Sequence, residues 1–120
     1  MTASVILDIT MTATLTPHET AELLTSKEVD IVDVRDEREF AAGHVVGARN
    51  IPLETLRADP DKYLVHKPIL LVCQKGVRSL SAAKLLERLG YEDIYNLDGG
   101  TAAWAKEGFQ LDTDKIRTAA

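Results

Sequence analysis

The chain has 120 residues, a formal net charge of −5, 45% hydrophobic and 28% charged side chains, a balance that fits one folded domain with a real core and neither a disordered segment nor two domains. The acidic balance excludes a global positive field for nucleic acid or an anionic membrane surface, so any anion site is local. Apolar runs of a few residues fall far short of the roughly 20 that span a bilayer, and a single cysteine permits neither an internal disulfide nor a paired-cysteine metal or redox site, which points to a reducing cytoplasm.

The opening stretch MTASVILDITMTATL lacks a basic n-region and carries Asp8 inside its apolar part, so residues 1–13 are read as an extension or an extra strand and not as a signal peptide. After a short strand near Thr12–Thr16, TPHETAELLTS offers Thr16 as N-cap, Pro17 at the first helical position and Glu19 as capping-box partner, which predicts a helix to about Thr25. VDIVDVRD reads as a buried strand ending at Asp33 or Val34, and DEREFAAG as one or two helical turns closed by Gly43 at its C-terminal side. A short strand near Ala48–Ile51 is ended by Pro52. Residues 53–66 read as a helical turn and a polar connection, with ADPDK as turn chemistry.

From Pro68, ILLV is a continuous apolar run of strand length, the pattern of a strand covered on both faces. From Ser79, the residues Ala82, Leu85, Leu86 and Leu89 recur at helical spacing opposite Lys84, Glu87 and Arg88, with Gly90 past the end. DIYNL is a further strand, DGG a turn with Gly99 and Gly100, and TAAWAKEG a final helix ending at Gly108. Strands alternating with amphipathic segments define an α/β domain on a mostly parallel sheet.

That order places Cys73 where a buried strand runs into a helix start, with CQKGVR as the connecting loop. By type alone a cysteine ending an apolar strand is a small buried hydrophobe. Its neighbours point elsewhere. Unpaired N–H groups at a helix start, with the macrodipole and a loop curled into a nest, stabilise an anion, and they lower a cysteine pKa from about 8.5 into the range of a usable thiolate nucleophile. Lys75 and Arg78 supply cations, Gly76 permits a left-handed or closely approaching backbone, and a guanidinium at Arg78 is suited to grip an oxyanion through two parallel hydrogen bonds. The site also lies at the carboxyl end of a parallel strand, where open α/β sheets place ligands.

The segments DVRDEREFAAGHVVGARNIPL, LLVCQKGVRSLSAAKLLERLGY and LDGGTAAWAKEG, in this order and spacing, resemble a single-domain rhodanese, a thiosulfate sulfurtransferase. The resemblance covers roughly residues 14–110, leaving 111–120 as a C-terminal tail. It implies a rhodanese-like fold with a central, mostly parallel five-stranded sheet flanked by helices on both faces. It implies a ping-pong reaction in which Cys73 takes the sulfane sulfur of thiosulfate, releases sulfite, and passes the sulfur from a persulfide to cyanide, a small thiol or a protein thiol. The N–H groups from Gln74 through Lys75, Gly76, Val77 and Arg78 to Ser79 would cradle the persulfide, with Arg78 and Lys75 holding the departing oxyanion. No metal or organic cofactor is implied.

Two alternatives share this physics. A Cys-dependent phosphatase or arsenate reductase uses a thiolate in an anion cradle, but such phosphatases place five residues between Cys and Arg, whereas only Gln74, Lys75, Gly76 and Val77 intervene here. A rhodanese-like binding module or persulfide carrier would act with a protein partner, and the presence of Cys73 argues against a dead module. Other positions carry structural expectations: Asp33 and Arg35 as structural charges, with Arg35 free to pair with Glu39 along the next turn; His44 bonded to backbone; Arg49 as a surface charge; Tyr95 and Trp104 packed on the sheet.

Overall fold

The computed structural model describes residues 12–65 and 67–114. Its strands are β1 (Ala13–Leu15), β2 (Asp30–Asp33), β3 (His44–Val45), β4 (Arg49–Asn50), β5 (Ile69–Val72), β6 (Ile94–Leu97) and β7 (Leu111–Asp112). Its helices are α1 (Pro17–Ser26), α2 (Glu37–Ala42), α3 (Leu53–Ala58), α4 (Pro60–Tyr63), α5 (Val77–Arg88) and α6 (Gly100–Lys106). Five strands form one sheet in the order β1-β6-β5-β2-β4, and every pairing in it is parallel.

Strand β5 sits at the centre because all four of its residues are buried, the environment a continuous apolar run requires. Its side chains alternate between two cores, as the period of two dictates. Ile69 and Leu71 join Val32, Ile94, Leu56, Ala82, Ala83 and Leu86 on the face covered by α3 and α5. Leu70 and Val72 join Ile31, Leu97 and Trp104 on the face covered by α1 and α6. Each fully buried leucine here contributes about 1.5–3 kcal/mol relative to exposure.

Local chemistry sets the helix starts on the sheet's flanks. Thr16 caps α1 through a complete capping box with Glu19, and Asp36 caps α2 in the same way with Glu39, so each box satisfies two otherwise orphaned N–H groups. Gly43 closes α2 as expected, in an extended conformation, φ 166°, as the chain continues directly into β3. Two expectations about α5 are corrected. Helix α5 begins at Val77, two residues before Ser79, since the left-handed Gly76 completes the loop earlier. Its buried face is Ser79, Ala82, Ala83 and Leu86, while Leu89 is 54% exposed, lying past the last residue that meets the sheet.

The residues from 111 do not start as a tail. Leu111 and Asp112 form β7, antiparallel to β3, with Val45 opposite Leu111. At the other end Ala13 opens β1, which pairs with β6 at the sheet edge; the rest of the expected extension, residues 1–11, and residues 115–120 lie outside the described residues. The packing of Trp104 is as expected: its Nε1 donates to the Gln110 carbonyl at 3.1 Å and its ring stacks on Phe109 at 4.5 Å.

Candidate active site

Strand β5 delivers Cys73 to the carboxyl end of the sheet between β2 and β6, and the side chain is only 1% exposed. The chain then turns through Gln74 and Lys75 to Gly76, whose φ of 91° is left-handed and favours glycine. This turn lies against the next one. A Cβ at Gly76 would stand 3.1 Å from the Gly99 nitrogen and 3.2 Å from the Leu97 carbonyl oxygen.

Helix α5 has no side-chain N-cap, so its first N–H groups need another acceptor. That acceptor is the sulfur. Cys73 Sγ receives the N–H of Gly76 at 3.2 Å and that of Ser79 at 3.3 Å, and the Ser79 hydroxyl lies 3.3 Å away. Burial pushes the thiol pKa up, but hydrogen bonds from the Ser79 hydroxyl and from the N–H groups of Ser79, Gly76 and Lys75 outweigh it and leave Cys73 below its ordinary value. Here the hydrogen bonds to the anion, more than the side-chain cations, set the direction.

The Ser79 hydroxyl also lies 2.6 Å from Asn96 Oδ1, and it has one proton to give. Asn96 Oδ1 and Cys73 Sγ therefore compete for it. Asn96 is 2% exposed on β6 and its amide donates to the Gly76 carbonyl at 3.4 Å, so it braces both the loop and the hydroxyl. Sequence reasoning missed Asn96. The available signal was a lone amide inside the apolar strand DIYNL, a residue that a buried strand tolerates only with partners.

The loop is held from behind by the start of α6. Thr101 N–H and hydroxyl donate to the Cys73 carbonyl at 2.9 and 3.1 Å, and Ala102 N–H donates to the Gln74 carbonyl at 3.0 Å. Gly100 makes this approach possible. A Cβ there would fall 2.2 Å from the Cys73 carbonyl oxygen. With its carbonyls turned back to α6, the loop turns N–H groups toward the sulfur.

Side chains of the loop separate in role. Gln74 Oε1 accepts from Arg35 Nη1 at 3.0 Å. Arg35 is buried against a fully buried Asp33, giving Nε and Nη2 to its carboxylate at 2.9–3.2 Å and Nη2 also to the Gly43 carbonyl at 2.7 Å. The pair ties β2, α2 and the loop together. Lys75 is exposed and Val77 is 74% exposed.

Arg78 is engaged with α2, its Nη1 and Nη2 donating to the Glu39 carboxylate at 3.1 and 3.2 Å. The expected Arg35–Glu39 pairing is therefore corrected: Asp33 claims Arg35, and Glu39 reaches across to Arg78. The guanidinium holds the Glu39 carboxyl below its ordinary pKa, with a smaller contribution from the Asp36 N–H. His44 Nδ1 donates to the Phe40 carbonyl at 2.8 Å, and Arg49 binds Asp30 at 2.8 and 2.9 Å, both in the structural roles expected of them.

Residues 16–107 match the family described as the rhodanese-like domain. Over 90 residues the chain is 37% identical to the thiosulfate sulfurtransferase GlpE of Shewanella oneidensis, covering 75% of this chain and 89% of that one. It is 44% identical over 78 residues, 65% of its length, to the uncharacterized protein YqhL of Bacillus subtilis, of which the match spans 62%. The crystal structure of a rhodanese-like domain protein from Staphylococcus aureus superposes with a TM-score of 0.71 at 36% identity, covering 86% of this chain and 99% of that one. The chain that folds this loop around Cys73 belongs to the rhodanese-like domain family.

Proposed function

We propose that the protein is a thiosulfate sulfurtransferase that moves a sulfane sulfur through a persulfide on Cys73. The observation that carries this reading is the set of donors converging on Cys73 Sγ from Gly76 and Ser79. They stabilise sulfur as an anion, the form that attacks. The thiolate attacks the outer sulfur of thiosulfate, the S–S bond of the donor breaks, and sulfite leaves with the electron pair. The outer sulfur remains on Cys73 as a persulfide anion. Cyanide, a small thiol or a protein thiol then takes that sulfur, and the bonding pair returns to Sγ as thiolate.

The N–H groups that hold the thiolate are placed to hold the persulfide by the same physics, since charge stays on sulfur throughout. In this reading Gln74, Lys75, Gly76, Val77, Arg78 and Ser79 form the substrate cradle, with the exposed Lys75 offering a cation to the incoming anion. The short loop supports a sulfur substrate over a phosphate ester: four residues between Cys73 and Arg78 make a smaller ring than a tetrahedral phosphate needs. No helix among the described residues is long and apolar enough to cross a membrane. The lone thiol, which can form no internal disulfide, supports a reducing, cytoplasmic location.

The test is the intact mass of the protein before and after thiosulfate, then after cyanide, with Cys73→Ser as control. The reading predicts a gain of one sulfur atom, its removal as thiocyanate, and no gain in the variant. No gain with any sulfane donor, together with turnover of a phosphate ester or arsenate, would replace it with the phosphatase class.

A further inference from the structure

Arg78 follows Cys73 at the start of α5, and each of its outer nitrogens gives an N–H to the Glu39 carboxylate. Glu39 is itself anchored, because its Oε1 also accepts the Asp36 N–H at 3.2 Å in the capping box of α2. The carboxylate remains 34% exposed. It also lines a cleft of about 240 Å³ with Arg35, Gln74, Thr101, Ala102 and Leu111, to which neither Arg78 nor Cys73 contributes. An anion that is to take the two N–H groups Arg78 gives to Glu39 must displace this carboxylate.

We propose that Glu39 is a charge-selecting residue for this site: by occupying Arg78 it disfavours dianionic sulfur donors such as thiosulfate relative to donors of single charge, such as an alkyl thiosulfonate. The substrate class rests on the sulfur-transfer reading, whereas the anion competition rests on the Glu39–Arg78 geometry alone. Glu39 touches Arg78 and not the reacting sulfur, so it acts through the guanidinium. With the thiosulfonate the chemistry balances as before. The thiolate takes the terminal sulfur, the S–S bond breaks, and a sulfinate leaves with the pair.

The test compares wild type with Glu39→Gln, which keeps an oxygen acceptor for the Asp36 N–H and for Arg78 but removes the charge. Inorganic sulfate, an unreactive dianion, is titrated for protection of Cys73 against alkylation by iodoacetamide. Sulfate is expected to protect the variant at roughly three- to fivefold lower concentration, the upper scale of one partly exposed charge pair. The KM for thiosulfate should fall by a similar factor while that for methanethiosulfonate stays within about twofold. Glu39→Asp, which retains the charge, should keep the wild-type ratio of the KM for thiosulfate to that for methanethiosulfonate.

Unchanged or weaker sulfate protection in a folded Glu39→Gln variant overturns the proposal, as does an equal shift in KM for both donors. If Glu39→Gln does not fold, the proposal stands or falls on Glu39→Asp, where a shift of that KM ratio despite the retained charge overturns it. Should neither protein load sulfur while sulfate protection still tightens in the variant, the sulfurtransferase reading fails and the anion competition survives.

Discussion

Two strand-to-helix junctions lie side by side at the carboxyl end of the sheet, and they use the same local geometry for opposite ends. Both leave a buried parallel strand and pass through a left-handed glycine, Gly76 with φ 91° and Gly99 with φ 75°. Both enter a helix that lacks a side-chain cap. At the second junction the free N–H groups of α6 are given to carbonyls of the first loop. At the first junction the N–H groups of α5 are given to Cys73 Sγ. A helix start thus becomes a thiolate site only where a neighbour has taken the competing carbonyls away. Helices α1 and α2 stand as the contrasting case, for there a side-chain cap, Thr16 or Asp36, takes the N3 N–H that Ser79 gives to sulfur at α5.

The comparison breaks most severely at Gly100. In Gly100→Ala the new Cβ meets the Cys73 carbonyl at 2.2 Å, on a backbone with φ of 60°, which combines overpacking with left-handed strain. We expect a loss of about 3–5 kcal/mol, measured by denaturant midpoint, and a slower alkylation of Cys73 as the junctions part. Gly90→Ala is the control. It also has positive φ but meets nothing within 4 Å, and should cost about 1–2 kcal/mol with no change at the thiol.

Ser79→Ala comes next in size and acts on the first junction alone. It removes the one side-chain donor from Sγ and leaves Asn96 Oδ1 without its 2.6 Å partner. The Cys73 titration moves back toward the ordinary thiol range. Alkylation at pH 7 should slow roughly five- to tenfold, the equivalent of about 1–1.4 kcal/mol. The smallest effect belongs to Thr16→Ala, which breaks the capping box of α1. It should cost about 1 kcal/mol and leave the Cys73 alkylation rate unchanged, separating a stabilising cap from a thiolate-holding one.

Features written in one local stretch are legible in the sequence. ILLV announces a covered strand, Thr16 and Glu19 announce a cap, and Cys73 between a strand and a helix announces a place for an anion. What escaped depends on contacts between distant segments. Nothing near Arg78 indicates that Glu39, 39 residues away in sequence, will occupy its fork, or that Asp33 will claim Arg35 first. The start of α5 is hidden because a left-handed glycine replaces the capping side chain that would mark it. The β3–β7 pair contains two residues per strand, too few for any periodicity to show. Leu89 continues the helical spacing beyond the end of the surface it could cover.

The central physical claim is that the start of α5 holds Cys73 as an anion. The most direct measurement is the thiolate ultraviolet absorbance of Cys73 against pH in the folded protein, with Cys73→Ser subtracted. The account predicts a midpoint below the ordinary cysteine value of about 8.5. The linked stability then follows in sign: a depressed folded pKa contributes in full above the unfolded thiol's value and is lost as pH falls through the folded one. A midpoint at or above the ordinary value would mean that burial defeats the donors of Gly76 and Ser79, and it would contradict the account.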